Sequence, residues 1–282
     1  MAPGLHLVST PIGNAGDVTL RALDVLGRAD IIAAEDTRSA RRLMEMHGVA
    51  LGGRRLLAYH DRNGAAVRPA LLDALRRGAS VALVSDAGTP LIADPGWKLA
   101  REALDEALPV TAAPGPSAAI TALTLSGLPS DRFLFLGFLP PRKGARRAAL
   151  SEADAARATL ICYESPRRTA DALRDMAETL GPDRPGALAR ELTKRFEEVR
   201  RDSLARLAED AASDPPKGEV VLLVGPAPAA ELDAHALDAV LRDALRRMTV
   251  SEAAAEAAAV TGAPRRAAYA RALELAAGES EH

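Results

Sequence analysis

Short apolar runs alternate with segments of helical periodicity along the first half of the chain. The runs that predict buried strands are 5–9, 31–36, 56–61, 81–86 and 109–113. The intervening segments with apolar residues at helical spacing are 17–28, 38–47, 68–77 and 96–107. Because each strand is followed by a helix, this order predicts a mostly parallel sheet with helices on both faces.

A second α/β unit begins near residue 133. Its predicted strands are 133–139, 159–165, 187–193 and 219–225, and its predicted helices are 166–180 and 204–213. The basic stretch 140–147 is expected to be a flexible loop, and the stretch 194–203 has no clear pattern. The expected fold class is therefore α/β, with two α/β domains at 1–128 and 129–226.

The end of the chain is alanine-rich and purely helical in pattern. Residues 226–234 are typical of a linker, and the tail is expected at 235–282. Residues 248–275 predict two helices separated by a turn at 261–262, which is the spacing of a helix-turn-helix. Such a hairpin either contacts RNA or serves only as a packing element.

The composition narrows the class of protein without selecting a partner. A formal charge of -2 over 282 residues does not demand nucleic acid, so any basic surface must be local. The single cysteine excludes an internal disulfide. No secretory signal and no apolar run near the ~20 residues of a membrane span are found, so a cytoplasmic protein without a membrane partner is expected. Scattered histidines give no metal-ligand spacing, so no metal is predicted.

Basic residues cluster in the second unit. The clusters are PPRKGARR (140–147), PRR (166–168) and KRFEEVRR (194–201). If they share the rim of one cleft they would bind phosphates, with affinity that falls steeply with salt; the alternative is scattered solvated charge. The candidates for RNA contact are Arg142, Lys143, Arg146, Arg167 and Arg168. Stacking of a splayed base would need an aromatic ring, but Tyr163 and Phe138 lie in apolar strand patterns that favour the core, which leaves Phe196.

Three unusual loops follow predicted strands, where ligands of open parallel sheets bind. They are STPIGNAGD (9–17), SDAGTPLIADPG (85–96) and APGPSAA (113–119). None is a GxGxxG or GxxxxGK[ST] motif, which argues against dinucleotide binding and nucleotide triphosphate hydrolysis. The second loop favours a binding site, because Gly88 leaves room for a ligand and Asp86 or Asp94 could pair with an ammonium or sulfonium group. Ser117 is placed to cap the following helix.

These loops occur in order with AEDTR (34–38), ESPRR (164–168), ARELTK (189–194) and GEVVLLVG (218–225). Together the seven motifs, which span residues 5–225, resemble the tetrapyrrole-methylase-type methyltransferases. They more closely resemble the branch that methylates a cytidine 2′-hydroxyl in small-subunit ribosomal RNA. The first loop is less glycine-rich than that of the porphyrinoid enzymes, which favours the RNA branch.

The resemblance implies two α/β domains with S-adenosylmethionine in the cleft between them, a homodimer, and a decoding-centre cytidine of 16S rRNA in the small ribosomal subunit as the acceptor. Carried over by motif, the implied cofactor contacts are Pro11, Gly13, Asn14, Asp86, Ala87, Gly88, Thr89, Pro90, Ser117 and Ala118. Residues of the second domain near the ESPRR and ARELTK segments are expected to close the cleft. The cytidine rests on the resemblance alone.

Methyl transfer requires alignment of two substrates and benefits from a base that removes the hydroxyl proton. The charged stretch ARELTKRFEE supplies candidates for the catalytic group, namely Glu191, Lys194 and Glu197. Lys194 is notable because only four of the 36 basic residues are lysines, and burial can tune the pKa of a lysine but not of an arginine. The alternative is an exposed stretch of paired charges.

Three functions remain open from the sequence. The first is the RNA ribose methyltransferase, which the tail and the basic second unit favour. The second is a porphyrinoid methyltransferase with the same fold and cofactor. The third is a non-catalytic α/β protein that binds a ligand or RNA.

Overall fold

A computed structural model describes residues 1–227 and 234–279 of the chain. The chain divides into two compact units, Met1–Pro226 and Ala227–His282, which are described separately. The strands are β1 Gly4–Val8, β2 Ile31–Ala34, β3 Arg55–Ala58, β4 Ser80–Val84, β5 Val110–Ala113, β6 Phe133–Phe138, β7 Thr159–Glu164, β8 Pro185–Arg190, β9 Glu198–Ser203 and β10 Val220–Val224. Within the described ranges, no helix combines the length and hydropathy needed to cross a bilayer.

The first unit contains eight helices in the part that is described. They are α1 Leu20–Arg28, α2 Thr37–Met46, α3 Gly64–Arg76, α4 Trp97–Asp105, α5 Ala118–Ser126, α6 Lys143–Asp154, α7 Thr169–Leu180 and α8 Leu204–Ser213. The second unit contains α9 Ala234–Leu245, α10 Val250–Thr261 and α11 Arg265–Glu279. Short 3-10 turns at Ala15–Asp17 and Pro166–Arg168 precede α1 and α7.

The first sheet is fully parallel and has the strand order β3-β2-β4-β1-β5. Its central strands are buried on both faces, as β4 shows along its whole length, because helices cover both sides. Separate apolar clusters occupy the two faces, one around Leu83 and Leu99 and the other around Leu26 and Ile32. The predicted parallel sheet with helices on both faces is confirmed.

The second sheet is mixed and has the order β6-β7-β10-β8-β9. Only β6 and β7 run parallel, whereas β10 lies antiparallel to both β7 and β8, and β9 is antiparallel to β8. One face packs on α6, α7 and α8 around Leu150, Leu173 and Leu207. The other face packs on α5 and on Ile12 of the loop after β1, so elements that follow strands of the first sheet cover the second sheet.

Within residues 129–226 one local prediction is wrong, and one stretch without a predicted structure forms a strand. The stretch 140–147 is not a flexible loop, because α6 begins at Lys143 and buries Arg146 and Leu150 one turn apart. The unassigned stretch 194–203 contains β9, which lies at the edge of the sheet. None of the side chains of β9 is fully buried, so the strand has no alternation of apolar residues. Its charged side chains, which are typical of edge strands, conceal it in the sequence.

Over residues 234–279 the C-terminal unit consists of three helices with an alanine and leucine core. Its buried residues include Leu241, Ala257 and Ala268. A capping box between Thr249 and Glu252 begins α10, and Gly262 ends it in the left-handed region, as the predicted turn requires.

Candidate functional site

The three loops predicted from the sequence meet at the carboxyl ends of the first sheet. Thr10 and Gly88 exchange backbone hydrogen bonds of 2.9 and 3.0 Å, which joins the loops after β1 and β4. Ser9 Oγ donates to Thr89 Oγ1 at 3.2 Å, and Thr89 Oγ1 donates to the Pro116 carbonyl at 3.0 Å. The loop after β5 is therefore tied to the other two, and the three form one surface.

The loop after β4 holds an unusual backbone. Gly88 has φ +80°, which an L side chain rarely adopts. Leu91 and Ala93 also lie in the left-handed region, at φ 73° and 62°, although they carry side chains. Such strain costs of order 1–3 kcal/mol per residue and is common at ligand sites, where surrounding contacts hold it in place. The strained backbone therefore marks the loop between β4 and α4 as a candidate ligand site.

A cavity of about 300 Å³, here called the central cavity, lies between this surface and the second sheet. The first-sheet loops contribute Ile12, residues 87–89, residues 92–94, Ser117 and Ala118. The second sheet contributes Phe138, residues 163–166, Leu192 and residues 218–221. The volume is at the lower end of the range for small-molecule sites, and most of the wall is apolar, which is typical of such sites.

Aromatic rings form part of the wall on the second sheet. The ring of Tyr163 packs edge-on against Phe135 at 4.9 Å and Phe138 at 5.6 Å between centroids. Burial raises the pKa of Tyr163, while hydrogen bonds with the Ala119 backbone and the Ser117 side chain partly offset it. Phe138 is 59% exposed, so the expectation that it belongs to the core is wrong. Ser117 occupies the N-cap of α5 but makes no side-chain capping bond, which corrects its predicted role.

Glu164 brings a buried carboxylate to the cavity wall and is only 2% exposed. Its Oε1 accepts hydrogen bonds from the Ser165 backbone N–H at 2.6 Å and from Arg168 Nε at 2.7 Å. Its Oε2 is buried and has no hydrogen-bond partner within the described ranges. Because a buried acceptor without a partner is costly, this oxygen suits a ligand that carries an amino or hydroxyl donor.

The predicted cofactor residues divide into two groups. Ala87, Gly88, Thr89, Ser117 and Ala118 line the central cavity. Pro11, Gly13, Asn14, Asp86 and Pro90 lie in the same loops but not in its wall. Wall residues outside the predicted cofactor contacts include Ile12, Glu164, Leu192 and residues 218–221. All of them lie within the seven motifs, so motif membership is the signal that the sequence offers for them.

The loop after β1 also docks on the loop after β8. Asn14 N–H donates to Thr193 Oγ1 at 3.0 Å. A Cβ on Gly13 would lie 2.5 Å from Lys194 Cγ and 3.0 Å from the Leu192 carbonyl oxygen, so only glycine permits this approach. Glu191 and Thr193 hold φ 50° and 65°, which marks a second strained segment.

None of the three predicted catalytic residues lines the central cavity, although Lys194 and Glu191 form an ion-pair cluster with the wall residue Glu219. Lys194 Nζ lies 2.9 Å from Glu191 Oε1 and 3.0 Å from Glu219 Oε2. Burial acts to lower the pKa of Lys194, but the hydrogen bonds to Glu191 and Glu219 outweigh it and raise that pKa. Lys194 is therefore protonated at neutral pH and is not a base. Glu197 is exposed and accepts a hydrogen bond from the Thr193 N–H at 2.6 Å.

The predicted RNA-contacting residues differ in availability. Arg142, Lys143 and Arg167 are exposed at the carboxyl ends of β6 and β7, close to the cavity residues Phe138 and Pro166. Arg168 is engaged by Glu164. Arg146 is only 5% exposed and donates to Asp175 Oδ2 at 2.8 Å from Nε. A buried guanidinium held by a carboxylate cannot reach a phosphate, so Arg146 is removed from the RNA-binding set.

Three acidic side chains, Asp94, Glu35 and Asp86, lie close enough to affect one another's charge. Asp94 lines the wall and is hydrogen-bonded by the Ser85 side chain. Burial and the charge of Glu35 raise the pKa of Asp94 to about 6. Burial and the charge of Asp86 likewise raise the pKa of Glu35. Across residues 1–227 and 234–279, no cluster of three or more histidine, cysteine or acidic side chains is arranged to hold a metal ion.

Two family models match the chain. The model described as Tetrapyrrole (Corrin/Porphyrin) Methylases matches residues 4–208, and the model described as RsmI C-terminal HTH domain matches residues 230–276. The first match covers both sheets apart from β10, and the second covers the helical C-terminal unit.

Curated relatives match nearly the whole chain. A protein of Mesorhizobium japonicum named ribosomal RNA small subunit methyltransferase I is 51% identical over 98% of this chain and 93% of its own length. Proteins of the same name are 49% identical in Erythrobacter litoralis, over 98% and 96%, and 45% identical in Escherichia coli O157:H7, over 96% and 94%.

Solved structures share the fold at lower identity. Diphthine synthase has a TM-score of 0.61 at 16% identity, covering 78% of this chain and 89% of its own. A conserved hypothetical protein of Aeropyrum pernix has a TM-score of 0.61 at 22% identity, covering 99% and 98%. The Thermus thermophilus uroporphyrin-III C-methyltransferase complexed with S-adenosylhomocysteine has a TM-score of 0.55 at 17% identity, covering 79% and 97%. At these identities the likeness concerns the fold alone.

Proposed function

We propose, from the premise that this chain belongs to the tetrapyrrole methylase family and to its ribosomal RNA small subunit methyltransferase I group, that it transfers a methyl group from S-adenosylmethionine to a cytidine 2′-hydroxyl of 16S rRNA. The observation that carries the proposal is the central cavity, whose walls come from the motif loops of a chain with these full-length relatives. The bound donor would supply an activated methyl group on a sulfonium centre.

The residues of the central cavity fit this donor. Gly88 and the strained segment around Leu91 hold the backbone open, and Ile12 and Leu192 provide apolar contact. The free Oε2 of Glu164 can accept a hydrogen bond from an amino or ribose hydroxyl group. The ring of Tyr163 can stabilise a positive charge.

The acceptor proposal rests on the names of the relatives and on the cationic rim. Arg142, Lys143 and Arg167 lie where a phosphate backbone would cross the edge of the second sheet. Porphyrinoid methyltransferases share this fold at low identity, whereas the relatives that are about half identical carry the ribosomal name. The same proposal includes the division of the first unit near residues 128 and 129, a homodimer, the small subunit as partner, and a cytoplasmic location.

Two measurements test the donor and the position of the methyl group. S-adenosylmethionine at 100 times its dissociation constant should stabilise the protein by about 2.7 kcal/mol in thermal unfolding. Small subunits treated with enzyme and donor should acquire one nucleotide linkage that resists alkaline cleavage, because a 2′-O-methyl group blocks attack on the neighbouring phosphate. A flat thermal response would contradict the donor, and a methylated linkage that remains alkali-sensitive would contradict the ribose position.

A further inference from the structure

A second cavity of about 310 Å³, here called the side cavity, opens beside the central one. It lies between the segment after β3, helix α3 and the start of α4. Of the residues that line either cavity, Asp94 alone lines both. A molecule in the central cavity and a molecule in the side cavity would therefore both contact Asp94.

The side cavity carries groups that suit a nucleotide. Trp97 is the single tryptophan of the chain, lines this cavity and is 63% exposed, so its ring is free to stack on a base. Lys98 is exposed and makes no ion pair within the part of the chain that the structure describes. His60 Nδ1 is buried without a hydrogen-bond partner in the same described part. A nucleotide would match all three groups: its base could stack on Trp97, its phosphate could pair with Lys98, and a polar edge of its sugar or base could bond to His60 Nδ1.

We propose that the side cavity receives the RNA nucleotide that is methylated and that Asp94 is the group that accepts its hydroxyl proton. This inference rests on the proposed function, since it assigns the acceptor for a donor in the central cavity. It differs from the set Glu191, Lys194 and Glu197, none of which lines either cavity.

The chemistry of the step follows from this placement. In-line displacement requires the acceptor oxygen, the methyl carbon and the sulfur to lie in a row, so donor and acceptor must approach from two sides of one point. The acceptor oxygen bonds to the methyl carbon as the carbon–sulfur bond breaks, and the electron pair of that bond stays on sulfur. The hydroxyl proton passes to the Asp94 carboxylate, which later releases it to water, so charge and atoms balance.

The surroundings of Asp94 suit a proton acceptor. The charged and titratable side chains that share its cavities or act on its charge are Glu35, Tyr59, His60, Asp61, Arg68, Asp86, Lys98, Tyr163, Glu164 and Glu219. Arg68 is already paired with Glu102 at 2.8 Å. Burial together with Glu35 and Asp86 raises the pKa of Asp94 to about 6, so the carboxylate is unprotonated at neutral pH yet more basic than an ordinary aspartate. A general base works best when its pKa lies near the working pH.

Occupation of the side cavity can be measured without methyl transfer. Because Trp97 is the only tryptophan, its fluorescence reports on this cavity alone. A short single-stranded RNA with one cytidine should quench that fluorescence to saturation in the absence of donor, at the concentrations where anisotropy of a labelled copy shows binding. Trp97→Phe should bind the labelled RNA without the tryptophan signal. RNA that binds while the Trp97 signal stays constant, or no binding at millimolar RNA, would overturn the assignment.

The role of Asp94 is tested by Asp94→Asn, with Asp24→Asn on the exposed face of α1 as the matched control. Asp94→Asn should lower single-turnover methyl transfer by about 100-fold or more. The dissociation constants for RNA and donor should stay within about threefold of wild type, and Asp94→Glu should recover part of the rate. An Asp94→Asn rate within about threefold of wild type, or equal losses in rate and in binding of both ligands, would overturn the role.

Different results would contradict the proposed methyl transfer and the assignment of the side cavity and Asp94. If wild type transfers no methyl group to small subunits, the proposed function fails, while the Trp97 titration still decides whether RNA enters the side cavity. If wild type transfers the methyl group but neither Trp97 nor Asp94 responds as described, the inference fails and the proposed function stands.

Discussion

Gly13 lies against Lys194 so closely that a Cβ on Gly13 would be 2.5 Å from Lys194 Cγ. This contact joins the loop after the first strand of one sheet to the loop after β8 of the other. Lys194 is held in turn by Glu191 and Glu219, and Glu219 lines the central cavity. The shape of the cavity therefore depends on the absence of a side chain at residue 13.

Gly13→Ala should loosen this junction. The added carbon would also lie 2.8 Å from Thr193 Oγ1 and 3.0 Å from the Leu192 carbonyl, so the loops must separate, at a cost of ~1–3 kcal/mol in unfolding free energy. Donor affinity, measured by calorimetry, should fall by about tenfold because Leu192 lines the cavity. Gly27→Ala in α1 is the control, since its nearest neighbour would be Val49 Cγ1 at 3.8 Å. Unchanged stability and affinity in Gly13→Ala would show that the junction is not needed.

The difference in unfolding free energy between wild type and Lys194→Met should depend on pH, because the ion pair of Lys194 needs an ionised Glu191. The pKa of Glu191 is lowered, chiefly by the hydrogen bond from Lys194, so its ion pair stabilises the fold above pH 4.5 and is lost as the pH falls through the lowered value. Wild type should therefore exceed Lys194→Met by about 1 kcal/mol at pH 7, with the difference vanishing in acid. Chemical denaturation at several pH values measures it, with exposed Lys217→Met as control. A difference that is constant with pH would indicate lost packing instead.

Asp94→Asn should stabilise the protein at neutral pH. The pKa of Asp94 is raised from 3.8 to about 6, so the folded state holds the proton more tightly than the unfolded state. Its contribution to stability therefore falls as pH rises from about 4 to about 6, and the ionised carboxylate is a net cost above that window. The variant should be more stable than wild type by about 1 kcal/mol at pH 7.5, after allowance for partial exposure, and equal to it at pH 4. Lower stability at pH 7.5 would contradict the raised pKa.

Arg146→Ala and Arg142→Ala should have different effects. The first should lower stability, and the second should weaken RNA binding. Arg146→Ala leaves the buried Asp175 with weaker partners and should cost about 3 kcal/mol of unfolding free energy. Arg142→Ala should leave stability within about 0.5 kcal/mol. It should instead weaken RNA binding and reduce the slope of log affinity against log salt by about one. Filter binding at several salt concentrations measures the slope, and the reverse pattern would contradict the assignment of the rim.

Deletion of residues 227–282 should leave the first unit folded with donor affinity unchanged, because the C-terminal unit has its own core. If the tail contacts RNA through the exposed Arg265 and Arg266, the deletion should weaken binding to small subunits. Sedimentation with purified subunits measures that affinity. Equal subunit binding by the full and shortened chains would exclude an RNA role for the tail.

The loops of the first sheet could be predicted from sequence because strand, glycine and proline signals are local. The resemblance places the segments near 164–168 and 189–194 at the second wall of the cleft, but the sequence does not show which strands meet there. Tyr163 and Val221 are brought together by antiparallel pairing of β7 with β10 across about sixty positions. The sequence suggests Arg146 for RNA contact because it does not show that Asp175, on a different helix, pairs with this arginine. Asp94 was noticed in its loop, but its place between two cavities depends on the separate segment after β3.

The most direct test of the central claim is single-turnover transfer of labelled methyl from S-adenosylmethionine, run in parallel on small subunits that lack the modification and on a porphyrinoid acceptor. Nuclease digestion of the ribosomal product then locates the label. If the protein methylates a cytidine ribose, label should appear on one cytidine ribose of 16S rRNA and none on the porphyrinoid. Label on the porphyrinoid, with unlabelled rRNA despite clear donor binding, would contradict this activity.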